Sequence, residues 1–192
     1  MDHARVVLDT DFINGITEYQ DGDPADLFRR VFRELGREPV VHPFVAEREL
    51  IYNTVAQKLM KEGALCVIPL KNIIDPNSEE EQTLYRNNFE DMYTQITCET
   101  LCAETDIFGR NAKKSFGEIH SILLAVELGI PLLYSNDYGA KTAARYYAKG
   151  RLTVQNAEEV AELLQDSQLI EAKERKFIRN VYKRARRLAQ ST

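Results

Sequence analysis

Short apolar runs alternate with longer segments of helical periodicity along this chain of 192 residues. The runs are apolar throughout, which is typical of strands that are covered on both faces. They predict strands at residues 5–8, 39–42, 66–70, 131–135 and 152–154. Helical spacing and capping residues predict helices at 24–35, 44–62, 75–102, 115–129, 138–149 and 156–164, and a last helix after residue 170. The pattern therefore predicts an α/β fold with a central, mostly parallel sheet flanked by helices.

Two of the predicted helices have an identifiable apolar face. The helix at 44–62 is expected to bury one side formed by Phe44, Ile51, Val55 and Leu59. The long helix at 75–102 is expected to begin with Ser78 and Glu81 as a capping box. Its apolar stripe consists of Tyr85, Phe89, Met92, Tyr93 and Ile96.

The composition predicts one globular domain, because 44% hydrophobic and 29% charged residues are ordinary values and no repeat or low-complexity tract is present. The apolar stretch before Asp9 is too short for a signal peptide or a membrane span, so we expect a cytoplasmic protein with no membrane association.

The cysteines show no CxxC spacing and are expected to be reduced core or helix residues: Cys66, Cys98 and Cys102. The histidines lack zinc-ligand spacing and are expected to be structural: His3, His42 and His120.

Charge is unevenly distributed along the chain, whose net charge is −5. Residues 171–192 contain eight basic and two acidic side chains, a balance of +6, so the rest of the chain carries −11. We expect a globular domain at 1–165 and a basic helical extension at 166–192 packed on it. The extension is either a surface for a polyanion or a solvated helix face.

Carboxylates distant in the sequence are predicted to converge at one edge of the sheet, because functional groups collect at the carboxyl ends of parallel strands. Asp9 ends the first strand and Asp137 follows the fourth. From Glu118 the helix covers about 16 Å before the fourth strand returns roughly 20 Å to Asp137, so both arrive at the same edge. Glu47 and Glu49 begin the helix after the second strand and bring a further carboxylate there.

Such a cluster favours a hard divalent ion. Like charges about 4 Å apart repel by about 4 kcal/mol at an effective dielectric constant of about 20, so the carboxylates need protons or a cation. Oxygen ligands suit Mg²⁺ or Mn²⁺, which promote phosphodiester hydrolysis. Each carboxylate also has a structural interpretation: Asp11 as the start of a turn, Asp137 as a helix cap, and Glu118 as the partner of Ser115 in a capping box.

Two blocks of the sequence resemble the PIN-domain family. Residues 6–13, VVLDTDFI, are similar to its first-strand signature of apolar residues, an Asp-Thr pair, a polar residue and two more apolar positions. Residues 117–129, GEIHSILLAVELG, followed by LYSND at 133–137, are similar to its second block, a Gly-Glu pair on a helix and then a strand ending in Ser-x-Asp. The resemblance implies a PIN-like three-layer sandwich, with the helix and loop at 78–114 and the basic terminal helix as additions.

The resemblance also implies roles for individual residues. Asp9, Glu118 and Asp137 would be both catalytic residues and metal ligands. A further catalytic carboxylate would come from Glu49, with Glu47 as a rival that helical geometry does not exclude. The supporting residues would be Asp11, Ser135 and Asn136.

The sequence thus predicts a Mg²⁺- or Mn²⁺-dependent endoribonuclease acting on single-stranded RNA, in the manner the resemblance implies for toxin-like members. A homodimer and an antitoxin-like protein partner are both compatible with it. A first alternative is a catalytically silent PIN-like module that binds RNA or protein. A second is a haloacid-dehalogenase-type phosphatase, whose nucleophile and acid would be Asp9 and Asp11, although Ile13 and the single carboxylate after the fourth strand depart from that pattern.

Overall fold

A computed structural model describes residues 4–109, 113 and 115–190, with the side chains of 188–190 left aside. The strands are β1 (Ala4–Leu8), β2 (Arg37–Val41), β3 (Cys66–Val67), β4 (Leu132–Tyr134) and β5 (Thr153–Gln155). They pair in the order β3-β2-β1-β4-β5, and every pairing within the described ranges is parallel. The predicted α/β fold with a parallel sheet flanked by helices is confirmed.

Helices connect each strand to the next, and two more follow the last strand. They are α1 (Thr10–Thr17), α2 (Pro24–Glu34), α3 (Thr54–Lys61), α4 (Glu79–Thr97), α5 (Phe116–Glu127), α6 (Tyr138–Tyr147), α7 (Ala157–Leu163) and α8 (Ala172–Gln190). A π-helical turn spans Val45–Glu49, and a 3₁₀ turn spans Leu70–Asn72.

Side chains of the central strand point alternately to two separate cores, as the two-residue period of a strand requires. Val6 and Leu8 lie in the core that the sheet shares with α1, α2, α3, α7 and α8. Val7 lies in the opposite core, which the sheet shares with α4, α5 and α6. The sheet is therefore covered on both faces, in three layers, which explains why its strands are continuously apolar.

The predicted helix at 44–62 is wrong in its middle. The π-helical turn ends at Leu50, and Asn53 begins α3 by accepting a hydrogen bond from the backbone N–H of Ala56 at 2.9 Å. Ile51, expected on the apolar face, is 53% exposed in the break between the two segments. The Asn53 side chain favours this break, because it satisfies a free backbone N–H group where the new helix α3 begins.

Helix α1 is absent from the sequence prediction, which treated Asp9-Thr10-Asp11 only as the end of a strand. The Asp9 side chain caps this helix by accepting from the backbone N–H of Thr10 at 2.8 Å. Asn14 and Gly15 are poor helix formers, so the local sequence does not predict a helix here. Burial of Phe12, Ile13 and Ile16 stabilises it instead.

Other elements are shorter than predicted. The third strand ends at Val67, ahead of Pro69, and α4 ends at Thr97, where Cys98 adopts a left-handed conformation. The capping box of α4 forms by half: Ser78 accepts from the N–H of Glu81, but the Glu81 carboxylate bonds the N–H of Asp75. The capping box of α7, between Asn156 and Glu159, is complete.

The three cysteines are free, as expected, but two are not core or helix residues. Cys98 and Cys102 are exposed beyond the end of α4, and Cys66 is half-buried in β3. The sequence also predicts a polar loop around Gly109, Arg110 and Asn111, most of which lies outside the described residues, as does His3. No helix within the described ranges is long and apolar enough to cross a membrane.

The terminal helix α8 packs against α1 and α7. Its side chains Ile178 and Val181 are buried in the core beneath α1, and Phe177 contacts the ring of Tyr19 at 4.9 Å between centroids. A Cβ atom on Gly15 of α1 would overlap the Val181 side chain, so the two helices approach where one of them has no side chain. Helical spacing in the sequence also predicts Leu188 on this apolar side of α8, but its side chain lies outside the described ones.

Candidate active site

The carboxyl ends of β1 and β4 meet where the order of connections reverses. From β1 the chain proceeds to β2 and β3 on one side of the sheet and then returns to β4 and β5 on the other. Such a point leaves a crevice between the two central strands, where ligands bind in open parallel sheets. The N–H of Asp9 donates to the carbonyl of Tyr134 at 3.0 Å, so the two strand ends are held side by side.

Asp9 is buried at this crevice, with 5% of its surface exposed. One carboxylate oxygen accepts from the N–H of Thr10, and the other accepts from the hydroxyl of Ser135 at 2.9 Å. The residues that follow β1 and β4 therefore fix the orientation of the Asp9 carboxylate.

Asp11 lies one residue inside α1 and is half-buried. Its two carboxylate oxygens accept from the backbone N–H of Asn136 at 3.2 and 3.1 Å. Asn136 is itself buried, and its side-chain oxygen accepts from the N–H of Ala157 at 3.0 Å. These bonds link the segment after β4 to α1 on one side and to α7 on the other.

Glu49 reaches the crevice from the end of the π-helical turn. Its carboxylate accepts from the hydroxyl of Thr10 and from the backbone N–H of Gly117. A Cβ atom at position 117 would overlap the Glu49 carboxylate, so this approach requires glycine there. Glu47, the rival in the sequence prediction, is exposed and lies outside the cavity to which Glu49 contributes.

Glu118 lies in the first turn of α5 and is 7% exposed. Ser115 precedes the helix with a φ of 72°, and its side chain makes no capping hydrogen bond, so a capping box with Glu118 does not form. The Glu118 oxygen Oε1 is buried without a hydrogen-bond partner among the described residues. An unpartnered buried carboxylate oxygen is costly, because its lost hydration is not replaced.

Asp137 follows β4 and caps α6 by accepting from the N–H of Gly139 at 2.7 Å. Its own N–H donates to the Ser135 hydroxyl at 3.1 Å. Ser135 thus contacts both Asp9 and the Asp137 backbone, which holds the two acidic residues at a fixed separation. The capping interpretation of Asp137 is correct, and it coexists with a place at the crevice.

A cavity of about 400 Å³ brings these side chains together. It is lined by Asp9, Thr10, Asp11, Asn14, Glu49, Ser115, Gly117, Glu118 and Asp137. Five of the nine are carboxylates, and none is a cation. All four residues predicted to be catalytic line this one cavity.

The electrostatics of the cavity follow from burial and crowding of like charge. Burial raises the pKa of Asp9 well above its usual range, and the charges of Asp11 and Glu49 raise it further. Burial likewise raises the pKa of Asp11 to about 6. Burial, and then the charges of Asp137, Asp9 and Asp11, raise the pKa of Glu118 to about 9. None of the described residues that line the cavity carries a positive charge that would let its carboxylates ionise together.

The residues fit a divalent ion in their chemistry. Within residues 4–109, 113 and 115–190, no three Asp, Glu, His or Cys side chains are already grouped closely enough to hold a metal ion. Asp9, Asp11 and Asp137 are instead hydrogen-bonded to backbone N–H groups. The set is nevertheless all oxygen, as hard ions prefer, and Oε1 of Glu118, a residue that lines the cavity, has no hydrogen-bond partner among the described residues.

The sequence did not identify four of the residues that line the cavity as site residues: Thr10, Asn14, Ser115 and Gly117. Ser115 was interpreted only as a helix cap. Thr10 and Gly117 belong to the two blocks that carry the family resemblance, so their proximity to the predicted carboxylates was the available signal. Asn14 had no such signal, because helix α1 was not predicted. The amide of Asn53 donates to the side-chain oxygen of Asn14 at 2.8 Å, which joins α1 to the start of α3.

Comparisons of the chain with family models, with curated proteins and with solved structures return no match.

Proposed function

We propose that this protein is a PIN-like, Mg²⁺- or Mn²⁺-dependent ribonuclease that hydrolyses phosphodiester bonds within single-stranded RNA. The observation that carries the proposal is the buried, unpartnered Oε1 of Glu118 in a cavity shared with four other carboxylates. A cation is the partner that relieves both the missing hydrogen bond and the repulsion. The resemblance of residues 6–13 and 117–137 to the PIN-domain family supports RNA as the substrate.

Asp9, Glu118 and Asp137 are the proposed metal ligands, because they surround the cavity from β1, α5 and the end of β4. A bound divalent ion supplies neutralisation of these carboxylates and polarisation of a phosphate oxygen. Ser135 keeps the Asp9 carboxylate oriented through its hydroxyl. This support costs no reorganisation during the reaction, since the hydrogen bond is already made.

Glu49 is the proposed proton acceptor. Burial raises its pKa, and its carboxylate is held by Thr10 and Gly117. A carboxylate with a raised pKa is a better base than an exposed one. Glu49 can therefore take a proton at its carboxylate from a water molecule that enters the cavity.

The test is cleavage of an end-labelled single-stranded RNA with Mn²⁺ or with EDTA. We expect cleavage that depends on Mn²⁺, and a loss of at least about a hundredfold in Asp9→Asn and Asp137→Asn. Glu49→Gln and Glu47→Gln form a matched pair, because the two residues share one turn and only Glu49 lines the cavity. Glu47→Gln should keep wild-type activity.

Thermal unfolding provides a second readout. Mn²⁺ should raise the melting temperature of the wild type and not of Asp9→Asn, because an ion that binds only the folded state stabilises it. Equal cleavage by the wild type and both Asp variants would show that the site is wrongly assigned. RNA binding without cleavage would favour the silent module, and vanadate-sensitive release of phosphate from monoesters would favour the phosphatase.

A further inference from the structure

Two further cavities adjoin the acidic one and share Asp137 with it. The first, of about 450 Å³, lies between the end of β4 and α8 and is lined by Asp11, Asn136, Asp137, Tyr138, Tyr182, Ala185 and Arg186. The second, of about 330 Å³, extends along α6, and its lining includes Tyr138, Lys141, Arg145 and Tyr182. Together they form one groove, here called the α6–α8 groove, that leads away from the carboxylates.

The chemistry of the groove differs from that of the acidic cavity. Tyr138 borders both of its cavities and is 78% exposed, although a large aromatic side chain would normally be covered. Arg186 and Arg145 are exposed, and neither forms an ion pair within the described part of the chain. Lys141, by contrast, is paired with Glu159 at 3.2 Å. The groove thus offers one aromatic face and two arginines that form no ion pair with any described residue.

A buried amide beside the groove also lacks a partner. Asn136 lines both cavities and is 6% exposed, and its side-chain nitrogen Nδ2 has no hydrogen-bond partner among the described residues. Its oxygen accepts from the N–H of Ala157, which fixes the orientation of the amide. An unpartnered donor at this position suits a ligand rich in acceptor oxygens.

Helix α8, which forms one wall of the groove, is anchored near its start. Arg30 makes two hydrogen bonds to the carboxylate of Glu174, at 2.8 and 2.6 Å, near the start of the helix. Tyr182 and Arg186 are four residues apart and therefore lie on the same face, toward the groove. This basic helix thus presents specific side chains next to the carboxylates.

We propose that the α6–α8 groove binds the RNA nucleotides adjacent to the scissile phosphate, with one base stacked on Tyr138 and the flanking phosphates contacted by Arg186 and Arg145. The inference rests on the proposed function and specifies where the substrate strand lies. Aromatic faces bind unpaired bases of any sequence, and arginine binds phosphate through a planar pair of donors. A single strand that follows the groove passes from the arginines directly to Asp137.

The test is binding of a fluorescein-labelled RNA 12-mer in EDTA, measured by fluorescence anisotropy at several salt concentrations. Binding in EDTA is independent of cleavage, so failure of this inference and failure of the proposed function are distinguishable. We expect Tyr138→Ala to weaken binding about tenfold and Tyr138→Phe to bind like the wild type, since the ring is retained. Tyr52→Ala, which changes another exposed tyrosine outside the groove, should have no effect.

Salt dependence identifies the phosphate contact. Arg186→Gln should reduce the slope of log Kd against log salt concentration by about 0.7, the value for one phosphate of a single strand. Arg179→Gln removes the same charge from the same helix, at an exposed position outside the groove, and should leave the slope unchanged. Equal effects of the two arginine variants, an unchanged affinity in Tyr138→Ala, or a wild type that binds no RNA would each overturn the inference.

Discussion

Helix α5 places two buried ionisable side chains two residues apart, in opposite kinds of surroundings. Glu118 faces the acidic cavity, and His120 lies in the core between the sheet and α4. Both are almost fully buried, with 7% and 0% of their surfaces exposed. The surroundings of His120 suit a polar group that supports the fold, whereas those of Glu118 leave a polar group available for chemistry.

Every polar atom of the His120 ring has a partner. Its Nδ1 contacts the hydroxyl of Tyr85 at 2.8 Å, and its Nε2 contacts the carbonyl of Ile107 at 2.9 Å. Tyr85 also contacts Nε2 of His42, whose Nδ1 accepts from the N–H of Phe44. One arrangement of protons satisfies every hydrogen bond in this network. Both imidazoles are neutral, each carries its proton on Nε2, and the Tyr85 hydroxyl donates to His120.

Glu118 has the reverse properties. Its Oε1 has no described partner, and three neighbouring carboxylates raise its pKa in addition to burial. Burial also shifts the pKa of His120, to about 3, but toward the form that the hydrogen bonds already satisfy. A shifted pKa alone therefore does not identify a functional residue. A buried polar atom without a partner and neighbours of like charge identify one more specifically.

The largest expected effect is on activity. Glu118→Gln should reduce RNA cleavage with Mn²⁺ by about a thousandfold, or ~4 kcal/mol, because it removes a proposed ligand while keeping the shape of the side chain. Single-turnover cleavage by saturating enzyme measures this loss. In EDTA the variant should be at least as stable as the wild type, since a repelled carboxylate is gone. A variant that loses both stability and activity would place Glu118 with His120, as a structural residue.

The next effect is on stability. His120→Leu should lower the free energy of unfolding by about 3 kcal/mol, because it leaves the Tyr85 hydroxyl and the Ile107 carbonyl buried without their partner. Urea unfolding measures the change, with Ser121→Ala as the control. Ser121 is buried on the same helix and its hydroxyl has no described partner, so its removal should be close to neutral. Cleavage by the folded His120→Leu protein should stay near the wild-type rate. A large drop in kcat would contradict the assignment of His120 as a structural residue.

The smallest effect is on pH dependence. Burial lowers the folded-state pKa of His42 and His120, so the unfolded chain binds more protons below about pH 6.5. Their contribution to stability is present above that pH and is lost as the pH falls through the lowered pKa of each, by up to about 1.4 kcal/mol per pH unit for each. For His120 the lowered pKa is about 3. Glu118 has the opposite sign, because its raised pKa makes its contribution present below about pH 4.5 and lost as the pH rises toward 9.

Urea unfolding in EDTA across pH 5 to 8 separates the two contributions. His120→Leu should flatten the loss of stability on the acid side, and Glu118→Gln should flatten it on the alkaline side. Curves for the two variants that stay parallel to that of the wild type would mean that neither group carries the shift attributed to it.

The sequence predicted the sheet and the meeting of its carboxylates better than the shapes of the connections. Asp9 and Asp137 were located correctly because each directly follows an apolar run, and parallel strands leave no choice about which edge they share. Glu49 and Glu47 could not be distinguished, because the prediction assumed one regular helix. The π-helical turn has a different rotation per residue, and the contact of Glu49 with Gly117 depends on tertiary packing.

The α6–α8 groove was beyond the reach of the sequence for a similar reason. The basic character of residues 171–192 was visible, but not which of the cations are paired. Arg184 lies 3.6 Å from Glu18 and over the ring of Phe177, whereas Arg186, two residues later, borders the groove. Only the docked position of α8 assigns a different role to each of these arginines.

The close approach of α1 and α8 means that positions 15 and 181 share a single volume, although they belong to opposite ends of the chain. A methyl group added at Gly15 must be matched by methyl groups removed at Val181. Protein engineers should therefore vary these two positions as a pair, and libraries confined to either end of the sequence would sample mostly incompatible combinations.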